Sequence, residues 1–380
     1  MKSARASLGY GLCAGRMGIP GLCLLVLLFT YCVSAAHTND SHANASHANG
    51  NALDALFEQN PDEPGCAVGY ARDGKIEYLR GFGRANLEHD VPISAQTRFH
   101  VASVSKEFTA AAVAMLMLQG KISFDDDVRK FLPDFPKFGE VITIEHLLQH
   151  SSGLVNHSVL LGSKGFDYGN SMSQEDALNL VFAEGLNFKP GTKYEYSSSY
   201  LVLSQIVEKV SGLPLREFLR LQIFEPLGMN NSGLHDDFSI IPNRAEGYLK
   251  SGDEWINDRV RYAFTGSGGV HMTIKDLLIW DYALRNDGLM KGLAKLIFES
   301  TPIPVMDNLD YHFGFFRSIF RDAPSAAHSG SYQGTKTLMY SFEPGLATAI
   351  ACNHRTDVEA LTWALMGKIL AGDALPKTPN

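Results

Sequence analysis

The sequence predicts an α+β fold, in which an antiparallel sheet built from both chain ends is flanked by helices and carries a mostly helical inserted lobe. Strand-forming stretches occupy residues 65–83 and 312–353, whereas helix-forming stretches dominate residues 103–286. Strands at both ends with helices between them are typical of this class. The 380 residues, of which 45% are hydrophobic, are enough for a large core.

The first residues have the pattern of a secretion signal. Three basic residues precede residues 17–36, which carry no charge, and small residues at 33–35 are suited to cleavage. We therefore expect a signal peptide over residues 1–35, with an uncleaved membrane anchor as the alternative. Residues 36–51 are rich in Asn, Ser, His and Ala, and we expect them to form a flexible tether.

Charge and cysteine content argue against several classes of partner and cofactor. The net charge of −8 becomes about −11 without the leader, which argues against nucleic acid as a partner. Three of the five cysteines lie in the leader, and the remaining two, Cys66 and Cys352, have no neighbouring cysteine or Cys-His cluster. We therefore expect no metal and no cofactor, and a periplasmic or secreted protein without a stable membrane partner after cleavage.

Strands and helices can be assigned in order along the mature chain. A short helix over residues 52–59 precedes two strands, over residues 65–72 and 75–83, which the hairpin turn Asp73-Gly74 joins. Further along, the pattern predicts helices beginning at Ser173, Ser199, Pro214 and Thr273, strands over residues 312–320, 336–342 and 346–353, and a last helix over residues 358–371.

The segment Phe99–Thr109 contains a Ser-x-x-Lys pair at the start of an Ala-rich helix that runs to Gly120. Positions three apart share a helix face, so Lys106 lies beside Ser103. A serine hydroxyl becomes a useful nucleophile when a neighbouring base takes its proton, and a buried lysine of lowered pKa can be that base. The alternative is that Ser103 only caps the helix and Lys106 is solvated.

The flanking residues favour the catalytic interpretation. Phe-x-Val-Ala-Ser-Val-Ser-Lys-x-Phe-Thr, from Phe99 to Thr109, resembles the active-site segment of the serine β-lactamase and penicillin-binding-protein superfamily. The resemblance is closest to class C β-lactamases and their esterase and D-aminopeptidase relatives, and it extends from about Gly65 to Leu370. It implies the β-lactamase/transpeptidase-like fold and an acyl-enzyme mechanism without a cofactor.

A second motif resembles the family's Pro-Gly-x-x-x-x-Tyr-Ser-Asn segment and begins at Pro190-Gly191. The resemblance makes Tyr196 the catalytic tyrosine that shares the serine proton with Lys106, and Tyr194 is the competing candidate. Ser198 stands where the family usually has Asn, which can contact substrate amides through both a donor and an acceptor. This difference weakens the expected recognition of β-lactam-like amides.

A third motif is His328-Ser329-Gly330-Ser331, where the family carries Lys-Thr-Gly or His-x-Gly on an edge strand facing the serine. Glycine allows close approach of the substrate backbone. By resemblance, the N–H groups of Ser331 and Ser103 form the oxyanion hole. His328 in place of Lys makes the field weaker, because a histidine is mostly neutral near pH 7.

His146 and His150, four residues apart on a predicted helix, have the spacing of zinc ligands. No third ligand is evident, and the resemblance assigns this segment to structure, so we predict no metal site there. In the resembled fold the first and last strands are neighbours. We expect Cys66 and Cys352 to be buried free thiols, with a disulfide as the alternative if the Cα atoms lie within about 7 Å.

These observations predict one hydrolase domain over residues 52–375. Its α/β lobe covers about 52–120 and 260–375, and its helical lobe covers about 121–259. We expect hydrolysis of an ester or amide, of the esterase or D-amino-acid peptidase type, acting on a small molecule or short peptide. A true β-lactamase is the alternative within this chemistry, and a non-catalytic binder of cell-wall peptides is the alternative outside it.

Overall fold

The computed structural model describes residues 52–58, 60–163, 172–258, 262–263, 265–320, 322–342 and 345–372. The leader and tether predicted over residues 1–51 lie outside the described residues. The strands are β1 (Cys66–Arg72), β2 (Lys75–Phe82), β3 (Arg84–Asn86), β4 (Val91–Pro92), β5 (Phe99–His100), β6 (Met172–Ser173), β7 (Gly233–Leu234), β8 (Tyr248–Ser251), β9 (Glu254–Asn257), β10 (Tyr262–Ala263), β11 (Val270–Met272), β12 (Ile303–Met306), β13 (Leu309–His312), β14 (Phe315–Phe320), β15 (Ala323–Tyr332), β16 (Thr335–Phe342) and β17 (Leu346–Cys352).

The α-helices are α1 (Ser105–Leu118), α2 (Ile144–Leu148), α3 (His157–Ser163), α4 (Gln174–Ala183), α5 (Ser199–Ser211), α6 (Leu215–Leu219), α7 (Ile274–Arg285), α8 (Leu293–Glu299) and α9 (Val358–Gly372). Short 3₁₀ turns cover Ala102–Val104 and Val128–Lys130, and Arg220–Phe224 is π-helical. The helix predicted over residues 52–59 is a single turn over residues 52–54. In the part of the chain that the structure describes, no helix is both long and apolar enough to cross a membrane.

One antiparallel sheet carries the fold and confirms the predicted α+β class. Its strand order is β12-β13-β14-β15-β16-β17-β1-β2, so strands from both chain ends meet at the β17–β1 pair. Side chains alternate between its faces. On one face, small residues such as Gly69 admit α7, because a Cβ there would lie 3.0 Å from Ile274. On the other face, Val68 and Ile350 pack with residues of α9.

The two mature cysteines oppose each other across the β17–β1 pair. Cys66 is the register partner of Cys352, their Cα atoms are 4.0 Å apart, and they form a disulfide. The expectation of free thiols is therefore wrong, because sequence alone does not give the register that brings these two positions together. The expectation that the first and last strands are neighbours is confirmed.

Helix α1 is the central element of the helical side. Every residue from Ser105 to Leu116 is buried, as expected for an Ala-rich helix that other elements surround. It packs against α5 and α8, and its N-terminus points at β15 through the turn that holds Ser103. This arrangement fixes the predicted nucleophile between the helical region and the sheet.

Candidate active site

The turn before α1 holds Ser103 in a defined position. Ala102, a non-glycine residue, has a φ of +48°, a left-handed conformation that costs about 1–3 kcal/mol and persists only where the surroundings enforce it. Its N–H donates to Nδ1 of His100 at 3.0 Å. The N–H of Val101 donates to the carbonyl of Val270, so β5 and β11 anchor the turn. Such strain commonly accompanies functional sites.

Lys106 lies directly beside the nucleophile, as the three-residue spacing predicts. Its Nζ donates to Oγ of Ser103 at 3.2 Å and to the carbonyl of Ser267 at 2.7 Å. The side chain is 3% exposed, and this burial lowers the pKa of Lys106 to about 7. A lysine with that pKa is a neutral amine in about half of the molecules near pH 7, and the neutral amine can accept the serine proton.

Tyr196 is placed on the other side of Lys106, whose Nζ lies 4.8 Å from the centre of its ring. Burial raises the pKa of Tyr196, and the adjacent Ser103 hydroxyl only partly opposes this. The Tyr196 hydroxyl makes no hydrogen bond of good geometry among the described residues. The structure therefore favours a neutral phenol that donates or relays a proton, with Lys106 as the base.

Strand β15 brings the third motif to the serine, and its pairing changes along its length. It is an interior strand over residues 323–327, where β14 pairs with it. The register with β14 ends at the pair Phe316 and Ala327, whereas β16 pairs as far as Tyr332. Among the described residues, no strand pairs with 328–332 on the Ser103 side, so this part of β15 is a sheet edge.

Gly330 is required by the closeness of β15 to the nucleophile turn. A Cβ on Gly330 would lie 2.4 Å from the carbonyl oxygen of Val101 and 3.2 Å from the backbone nitrogen of Ser103. Ser331, the next residue, lines the cavity in front of Ser103. The assignment of the Ser103 and Ser331 N–H groups to an oxyanion hole stays a prediction that this placement supports.

His328 is buried and neutral. Its Nδ1 donates to the carbonyl of Ser329 at 2.6 Å, and burial, reinforced by Lys106, lowers its pKa to about 3. It does not belong to the cavity wall, in contrast to Ser331. It therefore cannot supply the permanent positive charge that a lysine would place opposite the serine.

Ser198 does not reach the cavity, although the sequence motif predicts a substrate contact there. It is fully buried, donates from Oγ to the carbonyl of Val155 at 2.8 Å, and accepts from the backbone N–H of His157 at 2.8 Å. The ring of His157 lies 3.1 Å from the same oxygen and lines the cavity in its place. A serine is too short to reach past these partners.

The cavity in front of Ser103 has a volume of about 90 Å³ and a polar wall. Sequence reasoning missed much of this wall, because residues from separate loops form it. The Gly-Ser-Gly-Gly loop at 266–269 is one of these loops, and its Ser267 carbonyl accepts from Lys106. The lining residues outside the sequence motifs are Asn156, His157, Ser158, His235, Asp236, Asp237, Ser267, Gly268, Gly269 and Tyr332.

Lys106 is the only lysine or arginine in that wall, among the residues that the structure describes, whereas Asp236 and Asp237 supply carboxylates.

Neither histidine of the zinc-like pair lines the cavity: Nδ1 of His146 accepts from Thr143, and His150 lies among tyrosine rings. No cluster of three metal-ligating side chains occurs in the described ranges. A larger cleft of about 490 Å³, between α7, α8 and the sheet, contains none of the catalytic candidates.

The family of the chain follows from comparison with known proteins. Residues 53–370 match the Beta-lactamase family, which is most of the chain, so the protein belongs to that family and the predicted membership is confirmed. It is similar to a penicillin-binding protein from Bacillus halodurans, with a TM-score of 0.75, 23% identity, and coverage of 87% of this chain and 100% of the other. At that identity, the likeness shows the fold.

Two curated relatives indicate the range of chemistry in this family. A D-aminopeptidase from Cereibacter sphaeroides is 26% identical, over 85% of this chain and 64% of the relative. Esterase EstB from Burkholderia gladioli is 35% identical, over 48% of this chain and 50% of the relative. The chain spans between about half and two thirds of the length of the first curated relatives it matches. Together with the family match, they support the predicted class of serine hydrolase.

Proposed function

We propose that this protein hydrolyses small carboxylic esters or amides through an acyl-enzyme on Ser103. The observation that carries the proposal is the hydrogen bond between Ser103 Oγ and a buried Lys106 whose pKa is about 7. Oγ attacks the substrate carbonyl as its proton passes to the Lys106 amine. The Tyr196 phenol passes its proton to the leaving group and regains one from the Lys106 ammonium. Water then attacks the acyl-enzyme, which releases the acid and restores Ser103.

Esters are the favoured substrates, and β-lactams are disfavoured. A β-lactam carries a carboxylate, and the cavity offers it only Lys106 while presenting Asp236 and Asp237. His328 is neutral and Ser198 is occupied by Val155 and His157, so two of the contacts expected by resemblance are missing. The 35% identity with an esterase supports the same preference.

A D-amino-acid amide is the second candidate. Its free amine is cationic at neutral pH, and the carboxylates of the cavity wall suit such a group. The similarity to a D-aminopeptidase over 85% of the chain supports this candidate. The two candidates share the nucleophile and differ in the leaving group and in the charge beside the carbonyl.

The test is a panel of p-nitrophenyl esters, D-amino-acid p-nitroanilides and nitrocefin, with fluorophosphonate labelling of the wild type and Ser103→Ala. We expect labelling in the wild type alone, turnover of esters or D-amino-acid anilides, and at most slow nitrocefin hydrolysis. No labelling and no turnover would support the non-catalytic binder. Nitrocefin turnover faster than that of any ester would establish the β-lactamase alternative.

We further propose that the protein acts outside the cytoplasm, in the periplasm or as a secreted enzyme. The facing pair Cys66 and Cys352 supports this, because disulfides persist in oxidising compartments. Thiol titration of the denatured, unreduced protein purified from its native compartment should find neither cysteine free. Two free thiols per mature chain would contradict the proposal.

A further inference from the structure

Beside Lys106 lies a group of four buried rings, of which only Tyr196 has a role in the proposed chemistry. We call Tyr196, His150, Tyr311 and His328 the buried quartet. His150 and Tyr311 are 0% exposed and His328 is 2% exposed. Each member has one buried polar atom without a hydrogen bond of good geometry among the described residues: Tyr196 Oη, His150 Nε2, Tyr311 Oη and His328 Nε2. The Tyr196 hydroxyl lies beside that of Ser103, and the Tyr311 hydroxyl lies beside that of Tyr200.

The quartet is packed into one place. The His150 ring centre is 4.3 Å from that of Tyr196 and 4.9 Å from that of Tyr311. His328 lies 6.2 Å from Tyr196 and 6.1 Å from Tyr311, measured between ring centres. The four rings thus form a continuous set that reaches from the helical region to β15.

The hydrogen bonds of the two histidines define which ring nitrogen carries the proton. The backbone N–H of Ser197 donates to Nδ1 of His150 at 3.2 Å, so Nδ1 holds a lone pair and Nε2 carries the proton. In His328, Nδ1 donates to the carbonyl of Ser329, so Nε2 holds the lone pair. The quartet therefore contains one imidazole donor, one imidazole acceptor and two hydroxyls that can do both.

The match between donors and acceptors in the quartet bears on the stability of the fold. A buried polar group without a partner costs about 1–3 kcal/mol, so four of them in contact would be a heavy penalty for a marginally stable fold. Small shifts or a bound water can satisfy all four at once, because the donors and acceptors match. His150 also accepts the N–H of Glu195 at its carbonyl, so the same residue holds both neighbours of Tyr196.

We propose that the buried quartet is a hydrogen-bond relay, closed directly or through bound water, in which His150 and Tyr311 are positioning residues for Tyr196. His150 donates into the relay and His328 accepts from it. The relay keeps the Tyr196 oxygen supplied with a donor, so that the phenol proton stays directed at Ser103 and the leaving group. Burial keeps both imidazoles neutral, since it lowers the pKa of His150 well below its usual value and that of His328 to about 3.

This inference rests on the proposed function, and Tyr311→Phe tests it, because the change removes one hydroxyl and keeps the ring. We expect kcat to fall about tenfold, the effect of one hydrogen bond, with KM within about twofold of wild type. The proton inventory measured in mixtures of H₂O and D₂O should change as well. Tyr194→Phe is the matched control, because its ring lies 5.5 Å from that of Tyr311 and its hydroxyl is outside the quartet.

A merely structural role of Tyr311 would lower the melting temperature and leave the proton inventory unchanged, and that result would overturn the relay. Equal losses in Tyr311→Phe and Tyr194→Phe would do the same. A readout independent of activity is ¹⁵N NMR of the histidine rings. It should show the proton of His150 on Nε2 and that of His328 on Nδ1, and the reverse tautomers would refute the relay even in an active hydrolase.

Discussion

The first turn of α1 carries two adjacent ionisable residues that face different surroundings. Lys106, 3% exposed, points toward Ser103, Ser267 and Tyr196. Glu107, 1% exposed, points the other way, and its Oε2 accepts from Nε1 of Trp280 at 2.9 Å. Their ionised forms have opposite charges and the residues are neighbours in sequence, yet their side chains contact different partners and form no ion pair.

Burial favours the neutral form of both residues, and it therefore shifts their pKa values in opposite directions. Desolvation lowers the pKa of Lys106 to about 7, and the same effect raises the pKa of Glu107 well above its usual value. The amine opens onto a cavity with a hydroxyl to deprotonate, whereas the carboxyl accepts from an indole and lies near the charges of Asp281 and Arg285. Burial alone therefore does not make a catalytic group; access to a reacting atom does.

The comparison of Lys106 with Glu107 predicts that substitutions on the cavity side of the first turn of α1 have the largest effect on activity. Ser103→Ala should abolish turnover, and Lys106→Met should lower kcat/KM by about a thousandfold or more, measured with the best ester of the panel. Tyr196→Phe should also be strongly impaired, and its effect should not add to that of Lys106→Met, since both act on one proton transfer.

In Lys106→Met, activity should fall while thermal stability stays the same or rises. The change removes a buried amine and keeps the apolar stem, so the melting temperature at pH 7 should equal or exceed that of the wild type. A folded Lys106→Met with at least one tenth of wild-type activity would show that Lys106 is not the base. A Ser103→Ala variant that still turns over substrate would remove the nucleophile assignment.

The next effect is the pH dependence of the rate. The protonated amine cannot accept the Ser103 proton, so kcat/KM should fall about tenfold for each pH unit below the Lys106 pKa of about 7. Two of the three cavity histidines do not titrate in this range, because the pKa values of His100 and His157 are lowered to about 3. Burial also lowers the pKa of the third, His235, below its usual value. A rate profile that stays flat from pH 8 to pH 5 would contradict the lysine base.

The local part of this site could be predicted from sequence, because one helix turn defines it. Ser103 and Lys106 lie three residues apart on a helix, so spacing alone brought them together. Tyr196 and Gly330 depended on motifs with recognisable flanks. Residues that meet only through long-range packing could not be predicted in this way, and the Ser267 carbonyl and the indole of Trp280, which lies 173 residues from Glu107, are two examples.

The fold shows the same division. The Asp73-Gly74 hairpin and most helix starts could be predicted from local rules, since turn residues and caps act within a few positions. The open stretch of β15 could not, because it depends on where β14 stops pairing. The disulfide between Cys66 and Cys352 depends on strand register in the same way, since a shift of one residue would put the two side chains on opposite faces.

A moderate effect on stability is expected where Gly314 packs against the backbone of the first turn of α1, on the side away from the cavity. Gly314 has a φ of +87°, and a Cβ there would lie 2.9 Å from the backbone nitrogen of Glu107. Gly314→Ala should therefore lower the free energy of unfolding by about 1–3 kcal/mol, measured by urea denaturation. Gly292→Ala is a matched control, with a similar φ of +85° but only a loose contact at 3.8 Å. Equal losses in both would show that backbone strain alone is responsible.

The smallest effect, and the sharpest contrast with Lys106, is expected for Glu107→Gln. A protonated carboxyl and an amide have the same shape, and both keep an oxygen that accepts from Trp280. At pH 6, activity should stay within twofold of wild type, and at pH 4.5 stability should stay within about 0.5 kcal/mol. Because the pKa of Glu107 is raised on folding, its contribution is complete below pH 4.5 and is lost as pH rises toward its folded value. Glu107→Gln should therefore gain stability relative to wild type as pH rises from 5 to 9, whereas a loss of more than about 2 kcal/mol at pH 6 would show that Glu107 is ionised and paired.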